Sequence, residues 1–128
     1  MRKCEKKSVK KIDPKYIGVP NICFSVIGEK DKRAVEFKKQ RLARGFDDSE
    51  LWGLDCAIAK FIIPRLERFL EVSSEHIDGT VEGGVKVLEA MRLIVAEVED
   101  CKLLTEVDKR CVAQGLKTFS KIFQTLWY

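Results

Sequence analysis

A chain of 128 residues and 14.7 kDa suits one domain, large enough to bury an independent core. With 45% hydrophobic and 34% charged residues, the composition excludes wholesale disorder. The net charge of +4 is unevenly spread: Arg2, Lys3, Lys6, Lys7, Lys10, Lys11 and Lys15 face only Glu5 and Asp13 within residues 1–15, a local +5 that leaves −1 on residues 16–128.

Residues 1–15 therefore read as a basic tail, closed by Pro14. It either attracts phosphate or an acidic partner, or serves as a solvated terminus. Residues 16–28 differ in kind. Ile22, Phe24 and Val26 alternate with Cys23, Ser25 and Ile27 between Pro20 and Gly28, a short strand-like pattern. A lone strand cannot satisfy its own ladder, so the segment needs a partner strand or lies as an irregular extended stretch across the helices.

Residues 30–44 are charged and helix-friendly, with Val35, Phe37 and Leu42 as the apolar side and Gly45 as the C′ stop. A second helix is predicted from about Asp48 to Val72. Asp47 is its N-cap, Glu50 at N3 completes a capping box, and Phe46 and Leu51 are placed to form a hydrophobic staple. Its stripe of Leu51, Leu54, Ile58, Phe61, Ile62, Leu66 and Phe69 is expected to face the core, with Trp52 toward the flank. Pro64 should kink it without ending it.

Residues 73–79 are a loop by composition. A third helix, from Asp78 or Thr80 to about Asp100, carries an apolar arc wide enough for two neighbours, although Gly83 and Gly84 weaken its first turns. The fourth helix begins at Thr105, with Asp108 at N3 as a weaker cap. Its stripe runs through Cys111, Val112, Gly115, Leu116, Phe119, Ile122, Phe123 and Leu126. Gly115 lies within that stripe, where the lack of a side chain permits close helix approach. Connections of roughly 5–8 residues between long amphipathic helices point to an antiparallel bundle.

The chemistry-bearing motifs are sparse. No phosphate loop, nucleophile elbow, zincin or EF-hand pattern occurs. His76 is the single histidine, and without ligand-spaced neighbours it is a surface residue. Asp55 and Arg65 fall inside the apolar sector of the second helix. A charge buried there needs a partner, so either residue caps a neighbour, pairs with a neighbouring charge or faces a ligand. Lys30, Lys32, Arg33, Lys38, Lys39, Arg41 and Arg44 form the best electrostatic candidate surface, diluted by Glu29, Asp31 and Glu36. The alternative is a solvated helix face.

Cys4, Cys23, Cys56, Cys101 and Cys111 are odd in number and contain no C-x-x-C. Cys56 and Cys111 sit on or beside apolar faces, where a free thiol acts as a small hydrophobe. No apolar h-region follows the basic start, and the longest uncharged run, Tyr16 to Gly28, is too short to span a bilayer. Both features predict a reducing cytoplasm.

Two blocks carry a family resemblance. Trp52-Gly53-Leu54-Asp55 leads into Ala59-Lys60-Phe61-Ile62-Ile63-Pro64-Arg65-Leu66. Near the end comes Gly115-Leu116, then Phe119, Lys121 and Leu126-Trp127. Together they resemble a family of small uncharacterised proteins of tailed bacteriophages and prophages with W-x-L-D, A-K-F-I-x-P-R-L and G-L-x-x-F-x-K-x-x-x-x-L-W. The resemblance covers roughly residues 42–128. Residues before Arg44 do not match, and Gly83-Gly84 stands where the family often has a Trp. It implies a phage source and a helical fold, not a reaction, and it includes Asp55, Lys60 and Arg65 in the recurring pattern.

The resulting expectation is a mainly α protein: an antiparallel bundle of about four helices in a single domain of residues 16–128, preceded by the basic tail. It is expected to be a non-enzymatic phage accessory protein in the cytoplasm of the infected bacterium. It would bind a host or phage protein, for instance one serving antiviral defence. The second reading is nucleic-acid or nucleotide binding through the basic N-terminal region. An enzyme is the third, with no constellation to name. Asp55, Lys60, Arg65, Lys38, Lys39, Arg41 and Arg44 are the candidate binding residues. No cofactor, metal or membrane is implied. Trp127, Tyr128 and the wide third-helix arc predict an uncovered apolar surface, hence a symmetric homodimer.

Overall fold

A computed structural model describes residues 24–73 and 79–127 of the chain. The basic tail, residues 16–23, His76 and Tyr128 lie outside the described residues. Helix α1 spans Ala34–Arg44, a 3₁₀ turn Asp48–Gly53, α2 Leu54–Val72, α3 Thr80–Glu99 and α4 Glu106–Ile122, followed by a 3₁₀ turn at Phe123–Thr125. The fold is mainly helical, and the described residues contain no strand.

Local sequence chemistry sets most boundaries. Gly45 stops α1 with φ 86°, donating its N–H to the Arg41 carbonyl at 2.8 Å. Asp47 and Glu50 form the expected capping box, but they open the 3₁₀ turn rather than α2 itself. Gly53, with φ −139° and ψ 58°, separates the two, so the single predicted helix from Asp48 is two elements. Thr105 and Asp108 box the start of α4, with Asp108 N–H to Thr105 Oγ1 at 3.1 Å and Thr105 N–H to Asp108 Oδ2 at 3.0 Å.

The core forms around α3. Ala59 and Leu66 of α2, Val87, Leu88 and Met91 of α3, and Ile122 of α4 make one buried cluster. Helix α3 packs on both α2 and α4, as its wide arc predicts, whereas α2 and α4 make little direct contact. Both pairs are antiparallel. The Lys60–Glu99 ion pair joins the start of α2 to the end of α3, and Gly84 meets Leu70 at the other end. The glycines that weaken α3 locally are where its neighbours come closest. A Cβ on Gly83 would stand 2.9 Å from Ile122 Cγ2, and one on Gly84 would stand 3.0 Å from Leu70. Gly115 faces Ala90 and the Lys86 carbonyl in the same way.

Helix α1 stands outside this three-helix core. Phe37 is its one buried apolar residue, meeting Trp52 edge to face with ring centroids 5.9 Å apart. Arg33 lies 4.9 Å from the Trp52 centroid. Val35 and Leu42, expected on the apolar side, are exposed, because among the described elements α1 packs mainly on the 3₁₀ turn. The described end of the strand-like segment is the irregular alternative. Val26 N–H donates to Ser49 Oγ at 3.1 Å, and Ile27 is buried beneath.

Helix α2 continues through Pro64, which is exposed. Proline there leaves the Lys60 carbonyl without its helical donor. Pro64→Ala restores that bond and should stabilise the fold by about 1–3 kcal/mol, raising the thermal midpoint by several degrees. An unchanged or lower midpoint would mean that α2 needs the proline bend to pack.

Candidate functional site

The apolar stripe of α2 is split in two. Cys56, Ala59 and Leu66 are buried against the core. Leu51, Leu54 and Ile58, predicted to lie with them, are 52%, 50% and 48% exposed, and Phe61 is exposed too. The reason is geometric. Seven apolar positions cover more of the helix than one neighbour can hide, and α4 packs on α3 without reaching across to α2. Phe46 and Leu51, the predicted staple pair, are 40% and 52% exposed and line the same surface as these residues.

These uncovered side chains line a groove of about 910 Å³ along α2. Phe24, Phe46 and Leu51 close one end, and Phe119, Phe123 and Leu126 close the other. Contiguous apolar surface of this extent is unusual on a protein with nothing bound to it. Arg65 interrupts it. Its guanidinium stacks 4.0 Å from the Phe61 ring centroid and donates to the Phe61 carbonyl at 2.9 Å. Among the described residues no carboxylate pairs with it. Arg65 is thus a cation in an apolar groove, and Asp55 an exposed acid on the same helix. Neither is a buried charge. The helical projection correctly placed them near the apolar stripe, but that stripe faces outward.

The other candidate residues divide by role. Lys60 points away from the groove's centre. It ion-pairs with Glu99 and sits 5.6 Å from the Phe24 ring centroid, tying the N-terminal segment to α2 and α3. On α1, Arg44 pairs with Asp48 at 2.6 Å and covers the Phe46 ring at 4.3 Å. Arg41 pairs with Asp47, which is fully buried and also accepts from Ser49 N–H at 2.8 Å. Burial pushes the Asp47 carboxyl up, but hydrogen bonds from Ser49, Ser25 and Arg41 outweigh it and hold the group below its ordinary value. Glu50 moves the other way. Burial, with Asp47 nearby, raises it although the Asp47 backbone N–H donates to it at 2.7 Å. Two of the four α1 cations therefore serve the cap. Lys38 is half-buried and Lys39 is exposed.

Among the described residues no three His, Cys, Asp or Glu side chains could hold a metal ion together. Cys56 and Cys111 are free thiols, Cys56 buried, as their apolar settings predict. Cys101 is disulfide-bonded, which departs from the reading of this chain as reduced. No described helix is long and apolar enough to cross a membrane. Compared with protein-family models, curated proteins and solved structures, the chain matches none.

The groove residues themselves were not singled out from sequence as a surface. The available signals were Asp55 and Arg65, charges set within an apolar stripe. Such a charge marks the face that stays wet.

Proposed function

We propose that this protein acts by binding another protein, with the α2 groove as its docking face. The observation that carries this reading is the row Leu54, Ile58 and Phe61 on α2, continued by Leu51 of the preceding 3₁₀ turn, all partly exposed around Arg65. Such a face loses water favourably against a complementary apolar surface, at roughly 25 cal/mol per Å² buried. Arg65 would fix the register of what docks, through an acidic group on the partner.

A phage accessory protein that binds a host or phage protein in the cytoplasm is the fullest form of this reading. The phage source rests on the resemblance of its two sequence blocks, and the compartment on the free thiols Cys56 and Cys111. The bridged Cys101 weighs against the compartment. Nucleic-acid binding through α1 has less support, because Arg41 and Arg44 are held by Asp47 and Asp48. Phosphate contacts would have to compete with those carboxylates.

A photo-crosslinking amino acid placed at Ile58, in the groove, should yield protein adducts in cells. The same probe at Lys117, exposed on α4 outside the groove, should not. Adducts with nucleic acid, or equal yields from both positions, would sink the docking reading.

A further inference from the structure

Cys101 stands where a helix usually ends in glycine. Asp100 caps α3, and Cys101 after it holds φ 53°, the one left-handed backbone of a non-glycine residue among those described. An L side chain is strained there. What this side chain supplies in return is its sulfur, which is disulfide-bonded. We infer that the other half of the bridge is Cys23, and that the bridge is a redox-operated latch on residues 24–28.

Elimination narrows the partner to two. The chain has five cysteines, and Cys56 and Cys111 are free. A bridge within the chain therefore ends on Cys4 or Cys23. Position then separates them. The Phe24 ring lies 5.6 Å from Lys60 Nζ, and Lys60 is ion-paired with Glu99, two residues before Cys101. The Phe24 backbone N–H donates to the Glu50 carboxylate, which fixes the chain at that point. Cys23 is one peptide away from Phe24, about 3.8 Å between Cα atoms, and a disulfide spans about 4.4–6.8 Å more. Cys4 has no such anchor, since the nearest described residue, Phe24, follows twenty residues later.

The latch follows from how little else holds residues 24–28. Val26 N–H and the Ser25 hydroxyl both meet Ser49 Oγ at 3.1 Å, and Ile27 is the buried apolar side chain of the stretch. The bridge pins one end of it to the turn after α3, while α1 holds the other. Cys101 is exposed, which gives an external thiolate access to its side of the bond. With dithiothreitol as reductant, its two thiols close into one disulfide and give up two electrons. The Cys23–Cys101 bond takes those electrons and breaks, and the two protons end on the cysteine sulfurs. Phe24 is one of the residues closing the groove along α2, so its release opens that end of the groove. The pairing and the latch do not depend on what docks there.

Digestion of the air-oxidised full chain without reductant tests the pairing. Mass spectrometry should find a peptide holding Cys23 joined to one holding Cys101, parted by dithiothreitol, with three of the five thiols free. A Cys4–Cys101 peptide, or five free thiols, overturns the assignment. Amide hydrogen exchange tests the latch. Dithiothreitol, or Cys101→Ser, should speed exchange at Val26 by about tenfold or more while α3 stays protected. Exchange at Val26 that is unmoved by either treatment overturns the latch.

A third measurement uses the strained backbone. The bridge closes a loop that contains α1, α2 and α3, so reduction should lower the thermal midpoint of the wild type by at least about 5 °C. Cys101→Gly relieves the left-handed strain but loses the bridge. It should melt below the wild type in oxidising buffer and above it in dithiothreitol. A glycine variant that melts above the wild type in both buffers would show that the bridge holds nothing.

Discussion

Gly115→Ala is expected to destabilise the protein by about 3 kcal/mol, although alanine is the better helix former by about 1 kcal/mol. The sign follows from what the new methyl group meets. Its Cβ would lie within overlap distance of Ala90 Cβ and 2.9 Å from the Lys86 carbonyl oxygen. A carbonyl inside a helix cannot turn aside as a side-chain tip can, so α3 and α4 must separate. That separation would also uncover Ile122 and Met91 in the core cluster. Chemical denaturation should show a lower midpoint with an unchanged slope. Adding Ala90→Gly should recover only part of the loss, because the Lys86 carbonyl remains in the way. A Gly115→Ala protein as stable as the wild type would mean that α3 and α4 are spaced more widely than described here.

Asp47→Ala is the second large effect, expected to cost about 3 kcal/mol. An ordinary N-cap is worth about 1 kcal/mol. Asp47 is more than a cap, because it is fully buried and holds both the Ser49 N–H and the Arg41 guanidinium. Its removal leaves a largely buried arginine without its carboxylate. Asp47→Asn should cost less, since the amide oxygen can still accept from Ser49.

The two variants also differ in pH response. The folded Asp47 pKa lies below its unfolded value of about 4. Its contribution is therefore present above that value and is lost as pH falls through the folded pKa. The stability gap between wild type and Asp47→Asn should narrow as the solution is acidified from pH 6 to pH 3. Glu50, whose folded pKa is raised, acts in the opposite direction. Its contribution is present below its unfolded value and fades as pH rises through the folded one. Thermal melts of both proteins over that pH range measure the gap, and a gap that widens on acidification would refute the assignment to Asp47.

What the sequence disclosed and what it hid divide by the range of the interaction. Both capping boxes and the Gly45 stop were legible, because each is made within four residues and needs no neighbour. The wide arc of α3 announced two partners for the same elementary reason, since helical periodicity reports how much of a cylinder is apolar. It cannot report how much of that cylinder will be covered. Val35, Leu42, Leu51, Leu54 and Ile58 all read as core, and all are exposed because of where α1 and α4 happen to pack. The same limit turned Asp55 and Arg65 into supposed buried charges. Gly83 and Gly84 read as weaknesses in α3 until Ile122 and Leu70 are seen pressed against them. The Asp47–Arg41 pair was half visible: the cap was evident, but its burial and its cation were not.

The arrangement of α2 and α4 on opposite flanks of α3 has a kinetic side. The tertiary contacts of the three-helix core join helices adjacent in sequence, through connections only a few residues long. Such a topology has low contact order and little loop-closure entropy to overcome, which places it among fast-folding architectures. The α2–α3 hairpin can form on a ribosome before α4 has emerged, and α4 then adds to a finished template. Among the described residues no helix adjacent in sequence covers the outer face of α2. Any helix that covers it from another chain arrives by diffusion, so the last step of burial is bimolecular, and its rate is set by how much of the protein the cell makes.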